Sequence, residues 1–176
     1  MKMKSNELDL AYVLNNGENL ENLEENWQDD LVLKPMEGSG GPTPFTGLAY
    51  ELGEDGKTVL YYGTYEDGLP HGISVFIHPN GQIKNKATIF HGTGHGWSRQ
   101  WNQQGRLVFL GEYIHGVSVR FREWDEAGNL KDEKTGPSET ERAIIEQRML
   151  AAKKNWPDEA DGLSYDFLES KGWPAK

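Results

Sequence analysis

Through the middle of the chain, apolar and polar residues alternate with a period of two. After Gly47 the odd offsets are Leu48, Tyr50 and Leu52, against Ala49 and Glu51. After Gly72 they are Ile73, Val75 and Ile77, against Ser74 and Phe76. After Gly96 they are Trp97, Arg99 and Trp101, against Ser98 and Gln100. Successive side chains of a strand point to opposite faces, so each run predicts a strand with one largely apolar face. A fourth, degenerate unit places Arg120, Arg122 and Trp124 on the equivalent face, with Val119 where the glycine would stand. Between these runs lie KTVLYYGTY, QIKNKATIF and RLVFLGEYI. Their apolar residues fall on both faces, so the sheet needs a cover on at least one side.

Glycines punctuate the pattern. Gly68, Gly92 and Gly116 recur every 24 residues. Gly47, Gly72 and Gly96 open the alternating runs, and Gly56, Gly81, Gly105 and Gly128 follow them. Three interlocked series at nearly one step mark a repeat array. Asp55-Gly56 and Pro79-Asn80-Gly81 tolerate positive φ and suit hairpins. The expected fold is therefore mainly β with flanking helices (α+β): an antiparallel β-meander of six to eight strands, one hairpin per unit.

The ends lack the repeat. Residues 1–37 form an acidic N-terminal segment, in which Leu20, Leu23, Trp27 and Leu31 make a helix-period stripe. Residues 38–44 read as a Gly/Pro linker, 45–134 as the hairpin-repeat sheet and 135–176 as a helical C-terminal extension. In the last segment Ser138 and Glu141 form a capping box ahead of a run ending near Asn155. Ile144, Ile145, Met149 and Ala152 share its apolar side. A second short helix is expected over Ser164–Lys171, ending at Gly172. Both helices should pack on one end or one face of the sheet.

Charge and composition narrow the function classes. The formal net charge is −10. Three lysines against nine acids give −6 in residues 1–37 alone. This balance disfavours nucleic acid and anionic lipid, both of which need phosphate neutralisation. It would steer a basic protein partner. Cysteine is absent, which excludes disulfides and thiolate chemistry. No apolar run reaches signal-peptide or membrane-span length, so a cytoplasmic location without membrane insertion is expected. Exposed edge strands leave a dimer open.

The unit YEDGLPHGISVFIHPNGQI resembles the MORN repeat, in its variant form Gly-x-x-x-aromatic, Asn-Gly-x-aliphatic, aromatic-x-x-Gly. Gly72, Phe76, Asn80, Gly81, Ile83, Phe90 and Gly92 match it. The next unit matches at Gly96, Gly105, Leu107, Tyr113 and Gly116, with Trp101 one place late. The resemblance covers residues 45–134, roughly half the chain. It implies a binding module, and bacterial proteins of this variant class act as antitoxins or immunity proteins. A cognate toxin is therefore the implied partner, and the family supplies no catalytic residues. A lipid- or membrane-associated scaffold using Lys84, Lys86 and the arginines is the alternative. A carbohydrate-binding or enzymatic aromatic face is a second one.

Trp97, Arg99, Trp101, Arg120, Arg122 and Trp124 are the candidate binding residues, because tryptophan and arginine dominate interface hot spots. Glu66 and Asp67 supply an acidic rim. The same face could instead be a core closed by helices, with arginine stems packed across it. No catalytic set is recognised: turn acids such as Glu54-Asp55 and Asp125-Glu126 are normally solvated, and Gly92-Thr93-Gly94-His95-Gly96 lacks the lysine and helix of a phosphate loop. His71, His91, His95 and His115 all precede repeat glycines, so turn punctuation accounts for their spacing, and neither metal nor cofactor is expected.

Overall fold

A computed structural model describes residues 8–26, 30–36, 38, 40–157, 159 and 173. Its centre is an antiparallel meander of eight strands: β5 (Gly47–Leu52), β6 (Val59–Glu66), β7 (Leu69–Ile77), β8 (Ile83–Phe90), β9 (Thr93–Trp101), β10 (Leu107–Ile114), β11 (Val117–Trp124) and β12 (Leu130–Lys134). Ahead of them come α1 (Leu10–Asn16), β1 (Glu18–Asn19), β2 (Glu24–Asn26), β3 (Leu31–Lys34) and β4 (Thr43–Pro44). After them comes α2 (Glu139–Asn155). β1 adds to β5 in parallel as a ninth strand, and β2–β4 form a separate three-stranded sheet.

The glycine beat has a backbone cause. Asp67-Gly68, His91-Gly92 and His115-Gly116 all have positive φ at both residues. That is the turn geometry whose twist matches paired strands. The opposite end of the sheet carries the wider turns, where the amides of Gly56, Gly81, Gly105 and Gly128 bond the carbonyl three residues back. In the first of these, Asp55 accepts from the amides of Lys57 and Thr58 and from the Thr58 hydroxyl. These bonds hold its carboxyl down at about 2. Gly72 sits at a register shift between β6 and β7 with φ 92°. A Cβ there would lie 2.6 Å from Thr64 Oγ1. That hydroxyl is committed, accepting from Ile73 N at 3.0 Å and donating to the His71 carbonyl.

Register sorts the alternating residues into rows. One row crosses the whole meander as Tyr50, Tyr62, Val75, Lys86, Arg99, Leu110, Arg122 and Glu133. The row beside it, on the opposite face, is Ala49, Gly63, Ser74, Ala87, Ser98, Gly111, Phe121 and Lys134. The first half of the sheet is covered on both faces. Val13 of α1 packs with Val59, Tyr62, Val75 and Ile77 on one. Phe45, Ala49, Tyr61 and Tyr65 pack with Leu20, Leu23 and Val32 on the other. The third cluster joins Ile145 of α2 to Ile114 and Val119.

The capping box forms as expected, with Ser138 and Glu141 bonding reciprocally at the start of α2. The N-terminal stripe does not make one helix. Leu20 opens a 3-10 turn (Leu20–Asn22), Leu23 follows it and Leu31 begins β3. Asparagine at positions 19, 22 and 26 favours caps and turns over helix. The backbone of β3 bonds to the body of the protein instead, with Val32 N on the Gly68 carbonyl and Phe45 N on the Val32 carbonyl. Trp27 and the expected helix over Ser164–Lys171 lie outside the described residues. Within the Gly/Pro segment, Thr43–Pro44 pairs with β3.

Candidate functional site

The predicted tryptophan and arginine residues do share one face. Trp97 on β9 lies in register with Glu112 on β10, which lies in register with Arg120 on β11. The Arg120 side chain donates to Glu112 at 2.5 Å, and the glutamate is 1% exposed. The Arg120 guanidinium lies 5.0 Å from the Trp97 ring centre and 5.1 Å from that of Trp173. Arg122 lies 4.1 Å from the Trp173 ring and donates to Glu133 at 2.5 Å. Each cation is thus held by a carboxylate and an aromatic face, a pairing that fixes its plane. Arg99 and Trp101 are partly exposed further along β9. Trp124, expected on the binding face, is only 7% exposed and offers a partner little surface. Glu66 ends β6, and Asp67 occupies a tight turn, its amide donating to Thr46 Oγ1.

Sequence reasoning missed Glu112 and Trp173. Glu112 was readable: it lies two residues from Leu110, so alternation places it on the same face. Trp173 follows no periodicity and gave no signal.

The turn end of the sheet holds a second cluster. Phe90, 7% exposed, is ringed by His71, His95, His115 and Trp156 at centroid distances of 5.4, 6.0, 5.7 and 5.7 Å. Trp156 follows α2 and stacks on His91 at 4.1 Å with 7° between planes. Arg148 of α2 donates to the His115 carbonyl at 2.6 Å. Burial, aided by the neighbouring charge of His115, pushes His95 down to about 4. Burial and Arg148 lower His115 as well. Nδ1 of His95 accepts from the His115 amide at 3.3 Å, which the protonated ring could not do. Nearby, Glu66, His71, His91 and Glu159 bring one donor atom each within 4.8 Å of one another.

The class is set by comparison with known proteins: the chain belongs to a family of immunity proteins. It is 35% identical over 125 residues to Immunity protein YwqK of Bacillus subtilis (strain 168), a match covering 71% of this chain and 80% of that protein. No protein-family profile matches the chain. Among solved structures it is similar to TarM, at 15% identity and a TM-score of 0.31. It is also similar to a point mutant of S. aureus TarM in complex with fondaparinux, α-GlcNAc-glycerol and UDP, at 14% identity and a TM-score of 0.32. Each likeness covers 88% of this chain and 27% of the TarM chain, so this chain spans about a quarter of TarM's length. Among the described residues, no helix is long and apolar enough to cross a membrane.

Proposed function

We propose that this chain is a non-enzymatic binding module that neutralises a cognate toxin in the cytoplasm by direct contact. The kinship with an immunity protein over most of both chains carries the reading. The hairpin sheet, with its resemblance to MORN-variant repeats, supports it, because repeat arrays present extended binding surfaces. The contact surface is the second half of the aromatic and basic face, where Arg99, Trp101 and Arg122 are accessible and Trp97 and Arg120 back them. Glu66 and Asp67 rim the turn end. The overall charge of −10 steers a basic partner, while the arginine row meets acidic or carbonyl groups once it has docked.

The test is co-expression with the toxin encoded beside this chain. Rescue of growth and co-elution of the two proteins are expected. Arg99→Glu should weaken binding at least ~10-fold while leaving the melting temperature near wild type. Absence of both rescue and complex formation would refute the reading.

One observation favours a second reading. Lys86, Arg99 and Arg122 fall in one row, which could face anionic lipid. Two arginines on this face are already neutralised by Glu112 and Glu133, so liposome flotation is expected to leave the protein unbound.

A further inference from the structure

We propose that Glu66, His71, His91 and Glu159 form a site for a divalent transition metal of the zinc type. Four parts of the chain contribute: the end of β6, the body of β7, the turn after β8 and the tail beyond α2. The repeat explains why His71 and His91 stand beside glycines; it does not explain why their rings converge with two carboxylates. His91 Nε2 lies 3.2 Å from Glu159 Oε2, His71 Nε2 lies 3.7 Å from the same oxygen, and His71 Nδ1 lies 3.4 Å from Glu66 Oε2. A tetrahedron with metal–ligand bonds of about 2.0–2.1 Å has ligand–ligand edges of roughly 3.3 Å. His71 offers one nitrogen at a time: as ligand its Nδ1 sets a 3.4 Å edge to Glu66, or its Nε2 a 3.7 Å edge to Glu159, beside the 3.2 Å edge from His91 to Glu159, each close to that value.

Further features point to an ion rather than to ion pairing alone. The Nδ1 atom of His71 is buried and has no hydrogen-bond partner. The His91 side chain is 3% exposed, and Trp156 stacked on it fixes the ring plane, as outer-shell groups do for metal-ligating histidines. Carboxylates of Glu66 and Glu159 come within 4.8 Å, a repulsion that a dication removes. Two imidazoles with two carboxylates suit zinc better than the all-oxygen preference of magnesium or calcium. A bound ion would tie the tail to three consecutive strands.

Untagged full-length protein, stripped with chelator, should bind about one zinc per chain in calorimetry. With cobalt it should give the intense visible bands of four-coordinate geometry. Zinc should raise the melting temperature by mass action. Glu159→Gln, at a half-exposed position beyond α2, should weaken binding at least ~10-fold, as should His71→Ala. His78→Ala, on a histidine bonded to the Trp101 carbonyl away from the cluster, should bind as wild type. Absence of stoichiometric binding would overturn the site, as would wild-type affinity in both Glu159→Gln and His71→Ala. The experiment uses the chain alone, so its outcome is separate from that of the toxin test.

Discussion

Two glycines in the strand interiors have aromatic rings lying across them. A Cβ on Gly111 would come 2.7 Å from the Phe109 ring, and one on Gly63 would come 2.3 Å from the Tyr61 hydroxyl. The ring two residues earlier folds back over the gap and covers the strand where no side chain stands, the device known from edge glycines. Phe109 meanwhile stacks near Phe121 at 5.9 Å. Gly111→Ala should therefore destabilise by ~1–3 kcal/mol through overpacking. Combined with Phe109→Ala, it should cost less than the sum of the two single changes in urea titrations. The Tyr-x-Gly and Phe-x-Gly spacing was visible in the chain, but the direction of the ring was not, because a side-chain rotamer leaves no periodic trace.

His95 makes a pH prediction. An unfolded histidine takes up its proton near 6.5, whereas the folded ring does so only at about 4. Below neutrality the unfolded chain therefore binds the extra proton first. The stabilisation is complete above about 6.5 and is lost as pH falls towards 4. Its size is on the order of 3 kcal/mol. His115, lowered by the same burial, acts in the same direction. The drop in unfolding free energy between neutral and acid pH, measured by urea titration, should shrink in His95→Gln. An equal drop in wild type and variant would refute the assignment.

At the scale of elements, β10 and β11 are joined by more than their ladder. The buried Glu112 pairs with the partly buried Arg120, whose guanidinium lies over Trp97. Replacing the guanidinium strips a buried carboxylate of this bond, so Arg120→Met should cost ~3–5 kcal/mol. Glu112→Leu added to it should recover part of that loss in thermal melts. This outcome would mark Arg120 as a support for the binding face rather than a contact on it. Strands, hairpin turns and α2 were legible because each carries a local cause: period-two alternation, positive-φ glycines and a capping box. The N-terminal segment was not. Its leucines at spacings of three and four imitate a helix, while the pairing of β3 with β2 and β4 depends on partners that no local pattern announces.

The whole molecule converts a repeating sequence into a face that does not repeat. The same row begins with Tyr50, Tyr62 and Val75 under α1 and ends in Arg99, Arg122 and Glu133. The first half of this row is buried under α1, while Arg99 and Arg122 of the second half stay partly exposed. Alternation showed which residues share this face. It could not show how far each is covered, because α1, Trp156 and Trp173 lie outside the repeat. Truncation before Pro137 should lower the melting temperature and broaden the calorimetric transition; a transition as sharp and as hot as wild type would show the tail to be dispensable.

The meander pairs each strand with its neighbours in the chain, so folding demands no long loop closure and should be fast for a β protein. Such a ladder could come apart one hairpin at a time, like any linear array. The contacts of α2 and its tail oppose this. Arg148 on the His115 carbonyl and Trp156 on His91 tie a later-made segment to hairpins synthesised well before it. Final locking of the array therefore waits until α2 and Trp156 have left the ribosome.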